Sequence, residues 1–227
     1  MLQRLLTTKL FYNKYVFKLR LQNPIAPIYR GMNLGWAKTK LDEMQMDAEA
    51  DLAIKSPFRA WRGDPKHITL ETFMDNCVIY KALERNKDNC MVRIEGHKLD
   101  IYSNENIWLE ELADKIGALE FHEPANDDNL NFLLENTNTQ IVKGVVEWPY
   151  KAFFTKRVDP NFVNYCEANS HAIRIGSKAK QAIKLGHYTE GFYFFTKNER
   201  YLMLAKIAIG GSISKIVKYV SEADLNK

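Results

Sequence analysis

No stretch of this 227-residue chain holds the ~20 consecutive apolar residues that a bilayer-spanning helix requires, so no membrane span is expected. Cysteine is scarce as well. Cys77, Cys90 and Cys166 are odd in number and widely separated, which argues against a disulfide framework and for an intracellular, reducing compartment. The five histidines and three cysteines form no C-x-x-C or H-x-x-x-H arrangement, so no zinc site and no cofactor is expected. Adjacent acids such as Glu110-Glu111 and Asp127-Asp128 do not share a helix face and read as solvated surface. A nucleotide-binding glycine loop and a nucleophile motif are missing too, which leaves binding and assembly ahead of catalysis.

Acid is absent from the N-terminus. Residues 1–40 carry eight Lys and Arg, and the first carboxylate is Asp42. From Trp148 onward there are 13 basic and 6 acidic residues, whereas residues 41–147 hold 11 basic and 22 acidic. Two basic ends thus flank an acidic middle. A positive surface built from the ends would suit phosphate or an acidic partner. The opening run Met1 to Tyr12 reads as a basic, amphipathic arm that needs something to pack on, in cis or on a neighbour.

With 46% hydrophobic and 26% charged residues, the remainder has the composition of a folded α/β protein large enough for one or two cores. Tyr102-Ser103 through Trp108-Leu109 to Ile116-Gly117 echoes Phe195-Thr196 through Tyr201-Leu202 to Ile209-Gly210. Each run leaves a strand-like stretch and enters a helix-like one, so one unit used twice is expected.

The rest of the pattern supports this. Tyr15 to Leu21 alternates as a half-buried strand, helices are expected from Leu34 to about Ile54 and from Leu70 to Arg85, and Cys90–Ile94 with Lys98–Tyr102 forms a hairpin around Gly96. A helix from Asn106 to Gly117 and a strand over 118–123 complete a β-α-β-β-α-β order. After a polar linker, 124–147, the order repeats. Strands are expected at 150–156, 172–175, 191–196 and 214–220, with helices at 160–169, 177–185 and 198–209. The expected fold is α+β: tandem ferredoxin-like units, each with an antiparallel sheet and its helices on one face. The first would span residues 1–123, arm included, and the second 148–227.

Glu190-Gly191-Phe192-Tyr193-Phe194-Phe195 resembles the third-strand motif of RNA-recognition domains, whose exposed aromatics stack on bases. It departs from that motif at Glu190, where a basic residue is expected, and at Tyr193, where a small one is. Period-two alternation puts Phe192 and Phe194 on one face and Tyr193 and Phe195 on the other, so one pair is core and the other is a stacking platform only if it is left uncovered, the alternative being burial against the other domain. The tandem architecture and basic charge also resemble the CRISPR-processing endoribonucleases. Of their glycine-rich loop only Gly210-Gly211-Ser212 is a counterpart, and two glycines after a helix are more simply a stop and turn.

Three functions follow from these features. The first is a non-catalytic nucleic-acid-binding protein, with phosphate contacts from Arg4 and Lys9 in the arm and from Arg174, Lys178, Lys180 and Lys184, and stacking on Tyr193 and Phe195. The second is a structural or assembly subunit of a virion or ribonucleoprotein, which would self-associate as an oligomer and bury its arm and open sheet face. The third is a metal-independent endoribonuclease, for which His67, His171 and His187 are the acid–base candidates. His97 in the hairpin and His122 on a strand read as surface residues.

Overall fold

The computed structural model describes residues 2–58 and 67–225. Contacts divide the chain into two compact units: Met1–Thr7 with Lys14–Ala125, and Thr8–Asn13 with Asn126–Lys227. Both are mixed α+β.

In the first unit β1 (Gln3–Leu6) and β2 (Phe17–Gln22) precede two 3₁₀ turns over Ala26–Met32, which break at Gly31, a residue with φ of 65°. Helix α1 (Leu34–Glu49) is capped by Asn33, whose side chain accepts from the Trp36 N–H, and α2 (Leu70–Arg85) by Thr69, which accepts from the Thr72 N–H at 3.1 Å. The first helix is shorter than expected. It ends at Glu49 because Asp51 turns to a positive φ of 53°. The hairpin β3 (Cys90–Glu95) and β4 (Lys98–Ser103) then leads into α3 (Ile107–Ile116), which stops at left-handed Gly117, and β5 (Glu120–Glu123).

These strands form one five-stranded sheet in the order β1-β5-β2-β4-β3. Period-two alternation sorts its side chains. Leu19 and Leu21 of β2, opposite Ile101 and Leu99 of β4, are buried together with Phe121 of β5. The buried stripes of α2 (Phe73, Ile79, Leu83) and α3 (Leu109, Leu112, Ala113) supply the helical layer over that face.

The second unit opens with α4 (Asp127–Glu135), capped by Asn126, and β6 (Thr139–Val142). The interval 124–147, expected as linker, therefore holds a helix and a strand. Next come β7 (Tyr150–Phe154), α5 (Asn161–Ala168), β8 (Ile173–Ile175), α6 (Ser177–Lys184), β9 (Tyr193–Thr196), α7 (Glu199–Ala208), β10 (Ile213–Ser221) and the short α8 (Glu222–Leu225). Gly210 and Gly211, both at positive φ, make the turn from α7 into β10. The sheet order is β6-β10-β7-β9-β8. Its core joins Ala152 and Phe154 of β7 and Phe194 of β9 to Phe162, Val163 and Cys166 of α5 and Leu202 and Ala205 of α7. Phe154, Phe162 and Phe194 pack ring on ring, with centroids 5.3–5.9 Å apart.

The two sheet orders correspond strand for strand. In each, four strands pair antiparallel and the fifth is parallel: β1 on β5 and β6 on β10. The expectation of purely antiparallel sheets is corrected on this point. Four-residue edge strands carry too little alternation to be read, and a parallel edge needs a long crossover that no local motif announces. The arm likewise packs in cis. Gln3–Leu6 pairs with Glu120–Glu123, while in the second unit the Thr8 carbonyl accepts from the Ile141 N–H at 2.7 Å. Among the described residues no helix is long and apolar enough to cross a membrane, and Cys77, Cys90 and Cys166 are free thiols.

Candidate nucleic-acid interface

The face of the second sheet opposite its helices is built by alternation. Because Ala152 and Phe154 point into the core, Lys151 and Phe153 point the other way; because Phe194 is core, Tyr193 and Phe195 are not. Register sets Lys151 opposite Phe195 and Phe153 opposite Tyr193. Arg174 of β8 also stands opposite Phe195, and Lys215 and Val217 of β10 stand opposite Phe153 and Lys151.

Four rings make a continuous row. Centroids lie 5.6 Å apart for Phe153–Tyr193, 5.4 Å for Tyr193–Phe195 and 6.5 Å for Phe195–Tyr219. The Lys151 ammonium sits among them, 3.8 Å from the Tyr193 centroid, 4.8 Å from Phe153 and 5.7 Å from Phe195. Partial burial, reinforced by the charge of Lys9, holds the Lys151 pKa below the ordinary lysine value. Tyr193 is 40% exposed, and Arg174 and Lys215 are exposed beside it. None of the face positions named here is acidic. The surface can therefore offer ring faces to planar groups and cations to phosphates.

The same face of the first sheet is built on one plan and finished differently. Lys18 stands opposite Tyr102, as Lys151 stands opposite Phe195. One step on, Arg20 faces Asp100 where Phe153 faces Tyr193. The last strand contributes Glu120 and His122 to the first sheet and Lys215 and Val217 to the second. Acids thus replace ring and cation. Arg20 grips Asp100 bidentately at 2.6 and 2.9 Å and reaches Glu120 at 3.3 Å, while Lys18 lies 3.8 Å from Asp100 and 3.7 Å from Glu120.

These charges compensate one another. Burial alone would raise the pKa of Asp100, but the Arg20 hydrogen bonds and the Lys18 charge outweigh it and hold the carboxyl below its ordinary value. Glu120 is held low in the same way, against burial, by His122, Arg20 and Lys18. For His122, 3.2 Å from Glu120, burial is the strongest influence and lowers its pKa despite that carboxylate. His122 is therefore a half-buried member of an ion network and not a surface residue. The first sheet pairs its cations with carboxylates, whereas in the second Lys151 lies over aromatic rings and Lys215 reaches the Asn13 side-chain oxygen at 3.5 Å.

The residues expected to contact nucleic acid are distributed as follows. Tyr193, Phe195 and Arg174 meet on the aromatic face, with Lys9 near enough to influence Lys151. Lys178, Lys180 and Lys184 do not join them. They lie on α6, which packs through Ile183 into the helical side of the core, and Lys180 and Lys184 face Glu167 at 3.3 and 3.8 Å. Arg4 belongs to the first unit, where both Glu123 oxygens lie 2.9 Å from its guanidinium and Glu110 lies at 3.4 Å. Its charge is already matched. Of the histidines, His171 bonds the Tyr201 hydroxyl at 2.9 Å, His67 makes a backbone bridge to Lys55, and His187 is exposed after α6.

Lys151, Phe153, Lys215 and Tyr219 escaped the reading of the sequence. Their signal was present as alternation in Tyr150–Phe154 and Ile213–Tyr219, but only strand pairing brings the two series onto one face. Compared with known proteins, the chain matches no family model, no curated protein and no solved structure.

Proposed function

We propose that the chain is a non-catalytic nucleic-acid-binding protein that takes single-stranded RNA or DNA on the aromatic face of its second sheet. The observation that carries this reading is the row Phe153, Tyr193, Phe195 and Tyr219, gathered around Lys151 and flanked by Arg174 and Lys215. Bases stack on aromatic rings whatever their sequence, because every base has a π face, and lysine and arginine follow the backbone. Stacking requires unpaired bases, which favours single strands over duplex. The charge-matched network of the first unit supports the choice of the second as the binding half.

We further read each unit as a ferredoxin-like βαββαβ unit with one strand added parallel to its last. The order β5-β2-β4-β3 and its counterpart β10-β7-β9-β8 support this reading, as does the placement of the two echoing segments at β4–α3 and β9–α7.

Size-exclusion chromatography with light scattering tests the function, with and without single-stranded RNA or DNA, at low and high salt. A species that gains mass with nucleic acid at low salt and sheds it at high salt is the expected result. A salt-resistant oligomer indifferent to nucleic acid would overturn the reading and make the aromatic face an assembly surface.

A further inference from the structure

Helices α2 and α3 of the first unit present matching outer faces to one another. On α2, Lys81 and Arg85 follow Val78 at helical spacing; on α3, Glu111 and Lys115 follow Trp108 at the same spacing. Between them lies a groove of about 360 Å³ lined by these six residues with Ala82, Asn86 and Leu112. That volume falls at the lower end of small-molecule sites, roughly 300–1,000 Å³.

We propose that this groove binds a planar aromatic anion of mononucleotide size, its ring against Trp108 and its phosphate among Lys81, Arg85 and Lys115. Three independent features support the assignment. The indole is pre-oriented, because its N–H is committed to the Ser103 hydroxyl at 3.3 Å, so the ring offers stacking surface at little cost in conformational freedom. Cations outnumber carboxylates three to one along the lining, among the described residues. The single carboxylate, Glu111, is 64% exposed and stands 4.0 Å from Lys115, a contact too long and too wet to tie up that lysine. A phosphate would bind two or three cations at once, and charge-assisted contacts of that kind are the strong ones.

The groove and the aromatic face use no residue in common, so this site stands or falls separately from the proposed function. Its natural occupant is either a free nucleotide or the phosphorylated end of a strand, which share ring and phosphate.

The test is nuclear magnetic resonance of the full chain labelled in its four tryptophans, with the Trp108 indole N–H as reporter. AMP should shift that resonance saturably, with adenosine and inorganic phosphate each binding about tenfold more weakly. The double substitution Lys81→Ala, Arg85→Ala, at exposed positions, should weaken AMP about tenfold, while Glu111→Gln should strengthen it about twofold by removing the opposing charge. A 5′-phosphorylated oligonucleotide that binds more tightly than AMP assigns the groove to strand ends; one that binds more weakly assigns it to free nucleotide. A Trp108 signal unmoved by AMP, equal affinity for adenosine, or no effect of the Lys81, Arg85 pair overturns the proposal. The Tyr193→Ala, Phe195→Ala variant should keep the AMP response in full, and its loss there would equally overturn an independent groove.

Discussion

The ammonium of Lys151 lies 3.8 Å from the ring centre of Tyr193, held there by two antiparallel strands whose register leaves both side chains on the side of the sheet away from the core of Phe154, Phe162 and Phe194. Ring and charge at one point make a surface that can stack a base and meet its phosphate together. Replacing Tyr193 with Ala should cost about 1–3 kcal/mol of single-strand affinity, and Phe195→Ala a similar amount, because base–aromatic stacking is worth that much per base. Fluorescence anisotropy with a labelled oligonucleotide reads this directly. Full affinity in both variants would remove the aromatic row from the interface.

Arg174 and Lys215 flank the row at exposed positions. Each should contribute to the salt dependence of binding and little to base preference. Neutralising one phosphate contact on a single strand changes the slope of log affinity against log salt by about 0.7. Arg174→Ala and Lys215→Ala should each flatten the slope by about that amount, whereas Lys184→Ala, on the helical side beside Glu167, should leave it unchanged. Equal effects from all three would mean that the lysines of α6 also touch the strand.

Much of the strand–helix order and the two echoing segments were legible in the sequence because each rests on local signals: alternation in Tyr15–Leu21, the hairpin around Gly96, and glycines after the helices that end near Gly117 and Gly210. The parallel edge strands were not, since Gln3–Leu6 and Thr139–Val142 are too short to alternate and their partners are distant in sequence. The site was half legible. Tyr193 and Phe195 declare themselves within one strand, but Lys151, Phe153, Lys215 and Tyr219 join them only through pairing. The charge cluster of the first unit was hidden for the same reason: Lys18, Arg20, Asp100, Glu120 and His122 come from three strands.

That cluster should reveal itself in stability. Asp100 is 2% exposed and bound by Arg20 through both oxygens. Removing one partner of such a buried pair strands the other, at a cost of about 3–5 kcal/mol, whereas replacing both with apolar side chains of similar volume can be near neutral. Asp100→Ala should therefore lower the urea midpoint strongly, and the Arg20→Met, Asp100→Leu pair should be more stable than the sum of its single changes implies. Strict additivity would mean that the two side chains act independently.

Acid should unfold the first unit in two stages, and the sign follows from the network. Burial, only partly opposed by Glu120, lowers the His122 pKa below its ordinary 6.5, so just below that pH the unfolded chain binds more protons than the folded one. The contribution is fully present above pH 6.5 and is lost as pH falls through the lower folded value. Asp100 and Glu120, held below their ordinary 3.8 and 4.5, act in the same direction in a lower window. Their contribution is complete above pH 4.5 and disappears as they protonate. Urea unfolding at successive pH values from about 7 to about 3 should thus show a shallow loss followed by a steeper one. His122→Gln should abolish the first stage and leave the second, while Asp100→Asn should reduce the second. A first unit whose stability rises as pH drops below 6.5 would place the neutral imidazole outside the network that Lys18, Arg20 and Glu120 define.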